Sequence, residues 1–142
     1  MVFDSETGPD LADVAAEQGC TIEELIAELC RHELRIELLA AAMAPMMSGV
    51  RLGSEVSRQS QPRTDVQPGS IMVAGANAII QPFPGPTGWK VVGRTPLTIV
   101  DMGVATPIGF AIGDRVRLRT VDPDYAGTLA GLRMGDWPET QR

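Results

Sequence analysis

From residue 70 onward, glycine and proline cut the chain into runs too short to be helices. The β-favouring runs are Ser70–Ala74, Ala78–Gln81, Trp89–Val92, Leu97–Val100 and Arg115–Thr120. Between them stand Pro68-Gly69, the stretch from Pro82 to Gly88, Pro107 and Gly113. An isolated helix needs about 12–15 residues to hold, whereas a strand is complete in about five. Several short strands separated by turn residues predict a β-sandwich or β-barrel. The 142 residues suffice for one domain and a small appendage.

The N-terminal part reads differently. Residues 1–34 carry nine acids against Arg31 alone, a net charge of −8, while residues 35–142 carry +2. Asp10 is placed to N-cap a first helix with Leu11, Val14 and Ala15 on one face, and Gly19 to end it. Thr21 and Glu24 have the spacing of a capping box, followed by Ile22, Leu25, Ile26 and Leu29 at helical period. Leu38–Ala42 fits either a helix or a buried strand. Residues 50–67 are rich in Ser, Arg and Gln and read as a long surface loop. The expected organisation is an acidic helical leader over 1–34, a β-barrel body over 35–120 and a polar tail with few anchors over 121–142.

Several classes of function fall away. LADVAAEQGCTIEELIAEL has the look of a helix-turn-helix, but its second helix would present Glu23, Glu24 and Glu28 to phosphates, so no nucleic-acid partner is expected. The longest apolar run, Leu38 to Met47, contains Pro45 and is half the length that crosses a bilayer, so no membrane partner is expected. The acidic N-terminus lacks a basic n-region and an apolar h-region, so no secretory signal is read. Two cysteines and one histidine make neither a disulfide framework nor a zinc cluster. No metal site and no cofactor are expected, and the setting is expected to be cytoplasmic.

Three stretches carry a resemblance: PRTDVQPGSIMVAG (Pro62–Gly75), GWKVVGRTPLTIVD (Gly88–Asp101) and IGDRVRLR (Ile112–Arg119), preceded by GPDLADVAAEQGCTIEELI (Gly8–Ile26). In order and spacing they resemble the family of KipI, the 5-oxoprolinase B-subunit and allophanate hydrolase subunit 1, over residues 8–120. The resemblance implies a mainly β fold with a helical N-terminal segment, a cyclophilin-like β-barrel, and chemistry on small polar amides beside a second hydrolase subunit. Members of this family usually carry a further N-terminal domain.

Two pocket motifs implied by the resemblance are altered. Gly-Phe-x-Pro-Gly-Phe-Ala-Tyr-Leu aligns with the run from Ala42 to Val50, and Gly-Gly-Gln-Thr-Gly-Ile-Tyr-Pro with the run from Gly75 to Pro82. Met43, Pro45, Met46, Met47, Gly75, Asn77, Ala78 and Ile79 are therefore the expected substrate-binding residues. Their apolar character suits a bulky, adaptable ligand; the methionines alternatively fill core. Asn77, Gln81 and Arg94 can hydrogen-bond a carbonyl, and His32 is the one histidine, so these four are the catalytic candidates. The leading expectation is a stand-alone enzyme that cyclises or rearranges an apolar small-molecule substrate in secondary metabolism. The alternatives are a subunit of an ATP-dependent 5-oxoprolinase or allophanate hydrolase, and a non-catalytic KipI-like regulatory protein. Open strand edges also allow a homodimer.

Overall fold

The computed structural model describes residues 1–137, so the end of the expected tail, residues 138–142, lies outside the described residues. Helix α1, Leu11–Gln18, buries Leu11, Val14 and Ala15, and Gly19 closes it at φ 68°, the left-handed geometry of a helix C-terminus. Helix α2, Ile22–Arg31, opens on the expected capping box. The Glu24 amide donates to Thr21 Oγ1 at 3.1 Å and the Thr21 amide to Glu24 Oε1 at 3.2 Å. Leu25 and Leu29 are buried, while Ile22 stays exposed. Asp10 precedes α1 but makes no side-chain cap. Its carboxylate turns to the sheet instead.

Among the described residues eight strands follow: β1 Leu34–Leu39, β2 Pro45–Ser48, β3 Arg63–Val66, β4 Ser70–Ala74, β5 Asn77–Ile80, β6 Gly85–Thr87, β7 Lys90–Arg94 and β8 Arg115–Val116. Six of them form one antiparallel sheet in the order β7-β4-β5-β2-β1-β8, and β3 pairs with β6 in a separate ribbon. The ambiguous segment Leu38–Ala42 is neither a helix nor a buried strand: Leu38 and Leu39 end β1, with Leu38 exposed, and Ala41 and Ala42 enter a 3-10 turn over Ala41–Met43.

The sheet is open, with β7 and β8 as its margins, and this corrects the closed barrel. Strand β8 is two residues long and offers almost no ladder for closure. The margin of β7 is already occupied by the N-terminal segment. Val2 and Arg94 exchange backbone hydrogen bonds of 2.8 and 3.0 Å, and the Asp10 amide donates to the Val91 carbonyl at 3.0 Å. Gly8 lies so close to β7 that a Cβ would overlap the Val92 carbonyl oxygen.

Two expected strands differ. Leu97–Val100 buries Ile99 and Val100 but joins no ladder. Thr98 instead makes a parallel bridge with Arg133, its amide donating to the Leu132 carbonyl at 2.8 Å. Arg115–Thr120 is strand only over Arg115–Val116. The segment after residue 120 has more anchors than its composition suggests. It carries α3, Pro123–Thr128, capped by Asp122, and it buries Ala126 and Leu129.

The main core lies between the sheet and the two N-terminal helices. Val14, Leu25 and Leu29 meet Ile36, Met47, Ile71, Val73 and Ala78 there. A second, smaller cluster of Val66, Met72 and Val91 sits on the other face of the sheet.

Candidate functional site

Strand register decides where the expected pocket residues go. Met46, Ile79, Met72 and Val91 form one row across β2, β5, β4 and β7, and Met47, Ala78 and Val73 form the adjacent row. Adjacent rows face opposite sides of a sheet. Met47 and Ala78 are fully buried in the main core, and Pro45 is buried with them. Met46 and Ile79 are half-buried on the outer face, and Leu38, paired with Met46, is 42% exposed there. The expected pocket residues therefore divide between core and outer face and do not line one cavity.

The remaining members of the two motifs sit in turns. Met43 closes the 3-10 turn, packed on the main core, and both Ala42 and Met43 are left-handed at φ 59° and 65°. Gly75, at φ 59°, turns β4 into β5 and exchanges backbone hydrogen bonds of 3.1 and 2.7 Å with Val56. Asn77 pairs with Ser48, whose hydroxyl donates to Glu37 Oε1 at 2.7 Å.

The polar candidates are dispersed. Gln81 and Arg94 flank Ser70: the Gln81 amide donates to the Ser70 carbonyl at 2.8 Å, and Arg94 is the register partner of Ser70. Arg94 Nε is buried with no hydrogen-bond partner among the described residues. Asn77 begins β5, about 13 Å of strand from Gln81. His32 lies on the opposite side, capping α2, with Nε2 3.4 Å from Glu28 Oε2. It borders a cavity of about 10 Å³ behind Ala78 and Leu118, room for a single water-sized sphere. An open groove of about 430 Å³ between residues 101–106 and 131–136 includes none of these candidates.

The densest polar cluster was not legible as such. Asp10 accepts from Arg63 Nε at 3.0 Å and Nη2 at 2.7 Å, from the Val91 amide at 2.8 Å, and from the Gln59 side chain. Burial pushes the Asp10 carboxyl upward, but the Arg63, Val91 and Gln59 donors outweigh it and hold the group below the ordinary aspartate range. The hydrogen bonds and charge of Asp10 in turn raise Arg63. One and two turns along α1, Asp13 pairs with the buried Lys90 and Glu17 accepts from Ser57, whose donors hold Glu17 below its ordinary range. These contacts fasten the acidic leader to β7 and to residues 57–63. The sequence signal is the placing of acids at the residue before α1, Asp10, and one and two turns along it, at Asp13 and Glu17.

The outer face thus carries an apolar row across the strands, from Leu38 through Met46, Ile79 and Met72 to Val91. A family model described as carboxyltransferase domain, subdomain C and D, matches residues 1–110. The 5-oxoprolinase B-subunit of Haemophilus influenzae is 30% identical over 118 residues, 82% of this chain and 55% of that protein. The 5-oxoprolinase B-subunit of Bacillus subtilis is 30% identical over 127 residues, 88% of this chain and 53% of that protein. The chain spans about half the length of these curated relatives. The crystal structure of a conserved uncharacterized protein from Pyrococcus horikoshii superimposes with a TM-score of 0.81 at 25% identity, over 88% of this chain and 58% of that one. The Kluyveromyces lactis urea amidolyase shares the fold, with a TM-score of 0.63 at 14% identity over 84% of this chain and 8% of that one.

Proposed function

Since this chain belongs to the carboxyltransferase domain family, subdomains C and D, we propose that it works as one subunit of a 5-oxoprolinase-type hydrolase. The observation that carries the reading is the 30% identity to 5-oxoprolinase subunits, over 82–88% of this chain. The substrate would be a small lactam bearing a carboxylate, and the second subunit would complete the site. Leu38, Met46 and Ile79 supply an apolar contact for that second subunit on the outer face, with Asn77 and Gln81 on either side of Ile79 along the chain and Arg94 beside Ser70 as the nearest polar candidates. In this reading residues 1–34 are an acidic leader, 35–120 the body and 121–142 a tail, in the cytoplasm. The two free cysteines suit a reducing setting. No helix among the described residues is long and apolar enough to cross a membrane.

A stand-alone cyclase for an apolar substrate gives way to this reading. The relatives are named as subunits, and the methionines that suggested an apolar pocket divide between two faces of the sheet. The test is reconstitution. The purified chain is mixed with a candidate second subunit encoded beside it, and consumption of 5-oxoproline is followed with ATP present. Activity that requires both chains is the expected result. Turnover by this chain alone, or a co-purifying pair without turnover, would overturn the proposal.

A further inference from the structure

The β3–β6 ribbon hydrogen-bonds to itself and does not enter the six-stranded sheet. Three of the four β3 residues are exposed, and only Val66 is buried, against Met72 and Val91 of the outer face. A two-stranded ribbon is marginal by itself in water, and one valine is a slight apolar hold. Beside the Gly69 stem, whose carbonyl accepts from the Thr95 amide at 2.9 Å, the ribbon is held at its other end by Arg58 over the Trp89 ring and by hydrogen bonds. There Arg63 donates through Nε and Nη2 to both oxygens of Asp10, and the Gln59 amide donates to the Gly88 carbonyl at 2.8 Å.

The two halves of this contact differ in exposure. Asp10 is buried and fixed to the sheet edge by the Val91 amide, whereas the Arg63 side chain is 42% exposed. Of the ribbon's covalent connections, the one after β3 contains Gly69 and the one after β6 contains Gly88, and Gly85 is the first residue of β6. At the far end the two stems are tied to each other, the Gly69 amide donating to the Gln81 carbonyl at 2.7 Å. Beneath the ribbon the apolar row continues: Met72 and Val91 are covered, Ile79 and Trp89 half covered, and Met46 and Leu38 lie beyond it.

We propose that the ribbon is a lid, latched by Arg63 on Asp10, and that its lifting joins the covered Met72–Val91 patch to the Leu38–Met46–Ile79 stripe. The lid is a property of the chain by itself and does not depend on a second subunit.

Methionine oxidation reads the lid directly, because Met72 lies under the ribbon and Met47 on the core face, both buried. The full chain is exposed to hydrogen peroxide and sulfoxide is followed peptide by peptide. In the unmodified chain Met72 should oxidise faster than Met47, and equal rates would overturn the lid. Arg63→Gln should accelerate Met72 by about tenfold or more, the scale of losing a charge-assisted hydrogen bond, with Met47 unchanged. Arg63→Lys should fall between. If Arg63→Gln leaves Met72 unchanged, or raises Met72 and Met47 together, the ribbon is an ordinary part of the fold and not a lid. In a Trp137→Phe background, the emission of Trp89 should shift to the red with Arg63→Gln, and an unshifted spectrum counts against lifting.

Discussion

Arg63 grips the Asp10 carboxylate at both oxygens, Nε to Oδ2 at 3.0 Å and Nη2 to Oδ1 at 2.7 Å, across 53 positions of sequence. Because Asp10 is buried and Arg63 is partly exposed, removing the carboxylate costs more than the ion pair alone. Asp10→Ala leaves the Val91 amide without its acceptor and the Gln59 side-chain amide with only the Trp89 carbonyl, at 3.5 Å. A loss of about 2–4 kcal/mol follows. Asp10→Asn keeps an oxygen for Val91 and should lose less. Urea midpoints measure both, and equal losses in the two variants would contradict the role given to the Val91 amide.

Acid should act on the same group. The folded-state Asp10 carboxyl lies below its unfolded value, so its contribution is complete above the ordinary aspartate value of about 3.9 and disappears as pH falls through the lower folded value. Asp4, held down by the Thr7 amide, and Glu17, held down by Ser57, shift in the same direction. Stability should therefore decline with acidification through and below that range. Asp10→Asn should make the decline shallower without abolishing it. Denaturation curves taken at stepped pH decide this, and an unchanged slope in Asp10→Asn would mean that Asp10 has no part in the decline.

Strand alternation makes neighbouring methionines unequal. Met47→Ala empties a fully buried site and should cost about 2–5 kcal/mol. Met46→Ala, on the half-open face, should cost about 1 kcal/mol or less. Thermal unfolding of the two variants gives the comparison. Similar losses would mean the register has been misassigned.

The 3-10 turn between β1 and β2 holds two consecutive non-glycine residues at positive φ, Ala42 at 59° and Met43 at 65°. A Cβ in that conformation is strained by about 1–2 kcal/mol. Ala42 is exposed, so Ala42→Gly removes strain without opening core. It should stabilise by about 0.5–1 kcal/mol net of unfolded-state entropy. A lower unfolding midpoint in Ala42→Gly would show that the turn is held by its alanine side chain.

What sequence reading captured and what it missed have separate physical causes. Gly19 and the Thr21–Glu24 box were legible because capping is local: the partners are a few residues apart. Ser70–Ala74 was legible as a strand because β-favouring residues stood between clear turn residues. Strand β3 was missed because Arg63, Thr64 and Asp65 are exposed and give no alternation. Strand β6 was hidden in a proline- and glycine-rich stretch that reads as turn. Leu97–Val100 had strand composition, but Thr98 found its partner near Arg133, a pairing that no local pattern announces. For the candidate site, the two aligned motifs span β2 and β5. The side to which each residue faces depended on the register of β2 against β5. Asp10 read as a helix cap because its role depends on Val91 and Arg63, both distant in sequence.

The two margins of the sheet are not equivalent. One is covered by Val2 and Asp10 on β7, and the other is the two-residue β8. Continuous strand-to-strand stacking of copies needs two usable margins on every molecule, one to receive and one to offer. A sheet with one margin occupied can be extended on one side only, so end-on growth into fibrils stops after a single step. The N-terminal segment that fastens the helices to the sheet thus also protects the protein from open-ended polymerisation.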